Sequence, residues 1–89
     1  MEDQKPTRNQ DYRLEKMDNE LLLFNPKTTN ILYLNETASL IWQLCDGQRT
    51  VNEMVSLLKE TFPEVSESIQ QDVIETIDLF KKHRAILMV

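Results

Sequence analysis

One thiol, Cys45, one imidazole, His83, and fifteen carboxylates are the groups with which this 89-residue chain could do nucleophilic, metal or acid–base chemistry. Their spacing assembles none of it. A nucleophilic cysteine needs a base or a cationic setting that lowers its pKa, whereas Cys45 continues the apolar stripe Ala38, Ile41 and Trp42 and reads as a small buried hydrophobe. One histidine and one cysteine fall short of a zinc ligand set. A phosphate-cradling loop is excluded because Gly47 is the sole glycine. The carboxylates of Glu53, Glu60, Asp72, Glu75 and Asp78 recur on polar helix faces, where they solubilise the chain rather than form a paired acid and base in an apolar cleft. No enzyme activity and no cofactor is expected.

The bulk properties narrow the choice further. The formal net charge is −5, which disfavours polyanionic partners, because affinity for nucleic acid comes from clustered Lys and Arg. No apolar run reaches membrane-spanning length and the first residues lack a signal-peptide core, so a cytoplasmic location is expected. A chain of this length builds one small core. Residues 1–11 (MEDQKPTRNQD) contain no apolar residue after Met1 and read as a flexible tail, leaving residues 12–89 as the domain.

The elements follow from periodicity. Tyr12–Met17 alternates apolar and charged residues, Asp18-Asn19 makes a turn, Glu20–Phe24 is a short apolar run, and a loop from Asn25 to Asn30 leads into Ile31–Leu34. This is a three-stranded antiparallel meander. Its second and third strands are apolar on both faces, so one face can meet helices while the other face or an edge is left for a partner. Asn35 is placed to cap a first helix that runs to Cys45, its Leu40 and Leu44 widening the stripe until nearly the whole helix is apolar. Trp42 is read as core. Asp46-Gly47 reverses the chain, the glycine supplying a left-handed conformation. Thr50 and Glu53 form a capping box for a second helix, Val51–Phe62, which Pro63 ends. A third helix starts near Ser66 or Ser68, with the Ser68 to Gln71 spacing of another capping box. Ile69, Val73, Ile77 and Phe80 form its stripe, and Lys81, Lys82, His83 and Arg84 suit the negative end of its dipole. Ala85–Val89 either packs back on the helices or adds a strand. The fold class is therefore α+β, a three-stranded antiparallel sheet followed by three helices, winged helix-turn-helix-like.

That architecture raises DNA binding, and the residues argue against it. A recognition helix presents Arg, Lys, Asn or Gln to base edges. Here the second helix exposes Glu53 and Glu60 and the third exposes Asp72, Glu75 and Asp78, each of which repels phosphate.

The run Leu34-Asn35-Glu36-Thr37-Ala38, then Ile41-Trp42, then Cys45-Asp46-Gly47-Gln48-Arg49-Thr50-Val51 resembles the core signature of the PqqD family, small peptide chaperones of pyrroloquinoline quinone synthesis. The likeness continues through Glu53-Met54-Val55 and Leu58 to Asp72-Val73, Ile77 and Phe80, and covers roughly Tyr12 to Leu87. At Arg84 the chain departs from the family, whose usual residue there is glycine.

The resemblance implies a RiPP recognition element, a fold that holds the leader segment of a ribosomally made precursor peptide and presents it to a tailoring enzyme such as a radical SAM protein, a cyclodehydratase or a leader protease. In the family the leader adds as a strand beside the third strand, in a groove walled by the third helix. Carried onto this chain, the peptide-binding residues are Ile31, Leu32, Tyr33 and Leu34 of the strand and Val73, Thr76, Ile77 and Phe80 of the helix. For Ile77 and Phe80 a core role competes with direct contact. The alternative is a protein-interaction or dimerisation module, including a homodimer, that binds no leader.

Overall fold

A computed structural model describes residues 4–88. Five strands and three helices follow one another as β1 (Pro6–Arg8), β2 (Arg13–Met17), β3 (Glu20–Asn25), β4 (Asn30–Leu34), α1 (Glu36–Leu44), α2 (Val51–Thr61), a single 3-10 turn (Pro63–Val65), α3 (Ser66–Lys82) and β5 (Ile86–Met88). The three-stranded antiparallel sheet has the order β2-β3-β4, so both β2 and β4 are edges. Asp18 supplies the tight β2–β3 turn at φ 56°. At the other end, the Asn25 side chain accepts from the Lys27 amide at 2.9 Å and folds the loop that sets the β3–β4 register.

That register decides which side chains meet the helices. Leu23 lies opposite Leu32 and Leu21 opposite Leu34, and this face packs into the main core with α1, α2 and α3. The alternate residues, Leu22 opposite Tyr33 and Phe24 opposite Ile31, project from the other face with Met17. The core is centred on Leu23, Ile41, Cys45, Met54, Val73 and Phe80, each fully buried.

The helix starts differ in their chemistry. Asn35 Oδ1 accepts from the Ala38 amide at 2.7 Å, and the Thr50–Glu53 capping box closes in both directions. The capping box expected at Ser68 and Gln71 is absent. The helix begins at Ser66, and Ser68 instead donates its hydroxyl to the Val65 carbonyl at 3.1 Å. Pro63 explains the difference, since its fixed φ starts the 3-10 turn that feeds α3 and leaves Ser68 already inside the first turn. Leu40, placed on the apolar side by sequence, faces outward and is partly exposed.

The stretch 1–11, read above as a tail, carries a strand. Residues 1–3 lie outside the described residues, as does Val89, but Pro6–Arg8 pairs antiparallel with Ile86–Met88, from Pro6↔Met88 to Arg8↔Ile86. On its other side β1 ties down the α1–α2 turn. The Arg8 amide donates to the Cys45 carbonyl and the Gly47 amide to the Pro6 carbonyl, both at 2.9 Å. Gly47 itself has φ 77°, the left-handed value that its position required. Composition could not show β1, because of its three residues only Pro6 is fully buried, and the strand is held mainly by backbone pairing on two sides. Within the ending, Ile86–Met88 forms a strand, and Ala85 and Ile86 pack into the core.

The chain enters β5 through a Schellman turn. The Ala85 amide donates to Phe80 O at 2.8 Å and the Arg84 amide to Lys81 O at 3.1 Å, with Arg84 at φ 57°. This is the position where glycine was the expectation, and a residue with a Cβ adopts it at a cost of roughly 1–2 kcal/mol. Against the extra chain entropy of glycine, Arg84→Gly should stabilise the protein by about 0.5–1 kcal/mol, raising Tm by roughly 4 °C in a thermal melt. An unchanged or lower Tm would show that the arginine side chain compensates for the backbone.

Candidate functional site

The thiol is structural. Cys45 is fully buried, its Sγ 3.1 Å from the Ile41 carbonyl, and burial pushes its pKa up to about 12 despite Arg8 nearby. At neutral pH almost no thiolate forms. Trp42 is also core, with Nε1 donating to the Ala85 carbonyl at 3.4 Å and the Arg8 guanidinium 5.7 Å from its ring centroid. His83 is half-buried, and its carbonyl accepts from the buried Tyr12 hydroxyl at 2.7 Å. At the Gly47 turn, Asp46 accepts from the Gln48 amide and pairs with Arg49 at 2.8 Å; those contacts, the amide first, hold its carboxyl below the usual range. They fix the turn. Among the described residues no cluster of His, Cys, Asp and Glu could hold a metal ion, and no helix is long and apolar enough to cross a membrane.

What remains open is the edge of β4. Among the described residues the strand pairs only with β3, so every second residue from Asn30 to Leu34 turns its N–H and C=O away from the sheet. The eight candidate residues divide around this edge. Leu32 and Leu34 point inward and join Val73, Ile77 and Phe80 in the buried core. Those three helix positions are between 0% and 4% exposed, so as the chain stands they form a floor beneath the strand and not an open wall. Ile31 and Tyr33, 48% and 67% exposed, lie on the opposite face of the sheet. Of the four helix candidates, Thr76 is the one that lines an accessible recess next to the strand. It shares a recess with Asn35, Thr37, Asp72 and Glu75 where the chain leaves β4.

Two groups escaped the sequence reading. Met17, Leu22 and Phe24 join Ile31 and Tyr33, with Glu15 beside them, around a shallow apolar depression on the outer sheet face. The alternation of Leu22 and Phe24 against Leu21 and Leu23 was the available signal, but it does not say which face the helices take. Asp72 and Glu75 were read as solubilising charge. Their i, i+3 spacing with Thr76 between the stripe and the polar face was the clue that they flank the strand end.

The sequence profile of the family described as Coenzyme PQQ synthesis protein D (PqqD) matches residues 20–86. A protein of Klebsiella pneumoniae named PqqA binding protein is 44% identical over 46 residues, 52% of this chain and 49% of that protein. Like-named proteins of Azotobacter vinelandii and Acinetobacter baumannii are 31% identical over 71 residues and 36% identical over 72. These two alignments cover 80% and 79% of this chain, and 74% and 73% of the relatives. The match to the Klebsiella protein thus spans about half of that relative's length. No solved structure matches. The matched stretch runs from the first residue of β3 to the first of β5 and takes in the open strand, the Gly47 turn and all three helices, and the chain belongs to the PqqD family.

Proposed function

We propose that this protein binds the leader segment of a ribosomally synthesised precursor peptide by strand addition at β4, and presents it to a tailoring enzyme in the cytoplasm. The observation that carries the reading is the unpaired β4 edge, flanked by exposed Ile31 and Tyr33, in a family whose relatives are named for binding PqqA. The scaffold is winged helix-turn-helix-like in this reading, with the sheet edge taking the working role that a recognition helix has in DNA binders.

Backbone pairing alone falls short. About four added hydrogen bonds at roughly 1 kcal/mol each are largely offset by ordering a flexible peptide, and micromolar affinity needs about 8 kcal/mol. Side chains of the peptide supply the rest. On one face of the added strand they lie beside Ile31 and Tyr33; on the other they reach the Thr76 side of α3, where Leu32, Leu34, Val73, Ile77 and Phe80 form the floor.

An amide-shift titration with the precursor peptide encoded near this gene tests the reading. Shifts should concentrate at residues 30–34 and in α3 near Thr76. N-methylation of alternate peptide residues should weaken binding at least tenfold for one set of positions and little for the other, as edge pairing demands. Shifts confined to α2, or none, would remove the groove. A second reading, an interaction or dimerisation module, is favoured by the outer apolar face of Met17, Ile31 and Tyr33; sedimentation that shows a dimer indifferent to precursor peptide would support it.

A further inference from the structure

The two edges of the three-stranded sheet are guarded differently. β2 exposes Arg13, Glu15 and Lys16 along its length, the kind of charged side chain that keeps an edge from pairing with another chain. β4 has no such guard. No charged residue and no proline occurs from Thr28 to Leu34, and the register with β3 runs without a bulge. The nearest charges in sequence are Lys27 before the strand and Glu36 after it, both exposed, and Lys27 also pairs with Asp11 at 3.1 Å.

An edge of this kind can pair with itself. About a two-fold axis at Leu32, the five residues of β4 meet a second copy antiparallel, with Asn30 opposite Leu34, Ile31 opposite Tyr33 and Leu32 opposite Leu32. The axis preserves the alternation along the strand, so backbone groups turned outward on one copy meet groups turned outward on the other. On the outer face the exposed Ile31 of each copy gains the exposed Tyr33 of the other, giving two pairs of β-branched and aromatic side chains that stabilise antiparallel strands. The same axis brings the Lys27 end of each strand to the Glu36 end of its neighbour. The ends are complementary although each chain carries a net charge of −5.

We propose that in the absence of peptide β4 pairs with β4 of a second copy in this register, and that an added peptide takes the place of that copy. The exclusion rests on the strand-addition reading, to which it adds a regulation: the edge is blocked by self-association and freed by its ligand. The pairing is weak. It covers one five-residue strand edge and two outer side chains per copy, well below the roughly 800 Å² per partner of a stable complex. A dimer dissociating near roughly 0.1 mM is the expectation, loose enough for a peptide that also uses the α3 side of the groove to displace it.

Sedimentation velocity of the full-length chain between roughly 10 µM and 1 mM tests the proposal, joined at the upper end by isotope-filtered NMR on a mixture of labelled and unlabelled protein. Sedimentation should move from monomer to dimer, and contacts between copies should appear from Ile31 methyls to the Tyr33 ring. Saturating precursor peptide, encoded near the gene, should abolish both. Lys27→Glu and Glu36→Lys should each weaken the dimer about fivefold, whereas an equimolar mixture of the two variants should recover the parent value, because opposite charges then meet at both ends. Thermal melts of each variant check that the fold is kept. A chain that stays monomeric to 1 mM while peptide shifts residues 30–34 would overturn self-pairing and leave strand addition standing. A dimer that survives saturating peptide, or whose contacts lie away from residues 30–34, would overturn it as well. Peptide shifts absent from residues 30–34 would remove strand addition and the exclusion with it.

Discussion

Truncating Phe80 to alanine should lower the unfolding free energy by about 3–5 kcal/mol and bring the protein close to its unfolding midpoint at room temperature. Phe80 is among the largest fully buried side chains, and its carbonyl also anchors the Schellman turn that launches β5. The cavity left behind would sit between α3 and the inner face of the sheet, with Val73 and Ile77 already packed around it. Urea unfolding followed by far-UV circular dichroism would show the midpoint moving to low denaturant. The outcome matters for reading binding data. Loss of peptide affinity in Phe80→Ala would report unfolding, whereas Thr76→Ala, at a half-buried position beside the recess, keeps the core and tests the groove. A Phe80→Ala variant as stable as the parent would mean that the ring lies in an accessible pocket and returns it to the list of peptide contacts.

Removing residues 1–9 should destabilise the domain by about 2–4 kcal/mol and shift Trp42 emission to the red. The segment contributes the β1–β5 pairing, the Arg8–Cys45 and Gly47–Pro6 bonds, and two bonds from Asn9, backbone to the Ala85 carbonyl and side chain to the Arg84 carbonyl at 2.7 Å. Each is worth roughly 0.5–1.5 kcal/mol net, and the backbone order they impose offsets part of the sum. Pro6 is fully buried, and Arg8 covers the Trp42 ring while donating to the Gln43 carbonyl. The red shift should appear even under conditions where the truncated protein remains folded. If stability and emission both stay as in the full chain, the pairing of β1 contributes nothing and residues 1–9 are a tail in the energetic sense.

These two expectations mark what was and was not legible in the residues. The meander and the three helices could be read because each carries its own period: Arg13–Met17 alternates, and Val51, Met54, Val55 and Leu58 recur at helical spacing. The turn at Gly47 was legible because one glycine between two capped helices has one economical use. Pro6–Arg8 was not, since nothing local distinguishes a strand that exists through backbone bonds to Ile86–Met88 and Asp46. Of the two starts read for α3 the helix takes Ser66, and the capping box at Ser68 and Gln71 fails although both residue types suit it, because Pro63 had already begun the turn. For the candidate site, the edge character of β4 followed from strand count, but the division of its side chains between two faces depends on β3–β4 register, which the loop Asn25–Asn30 sets through a side-chain bond invisible in sequence. The same register turned Ile31 and Tyr33 away from the helix expected to share a groove with them.

Pro6 pairs with Met88 at the open end of the β1–β5 ribbon. Both strands of that ribbon enter and leave the domain side by side, so the unit from β1 to β5 is a closed loop of chain with a narrow neck. Such a loop can be spliced into the surface turn of a host protein without stretching either neighbour. β4 lies in the other sheet and takes no part in the neck. A domain built this way is portable, and the open β4 edge stays unencumbered by the covalent connection.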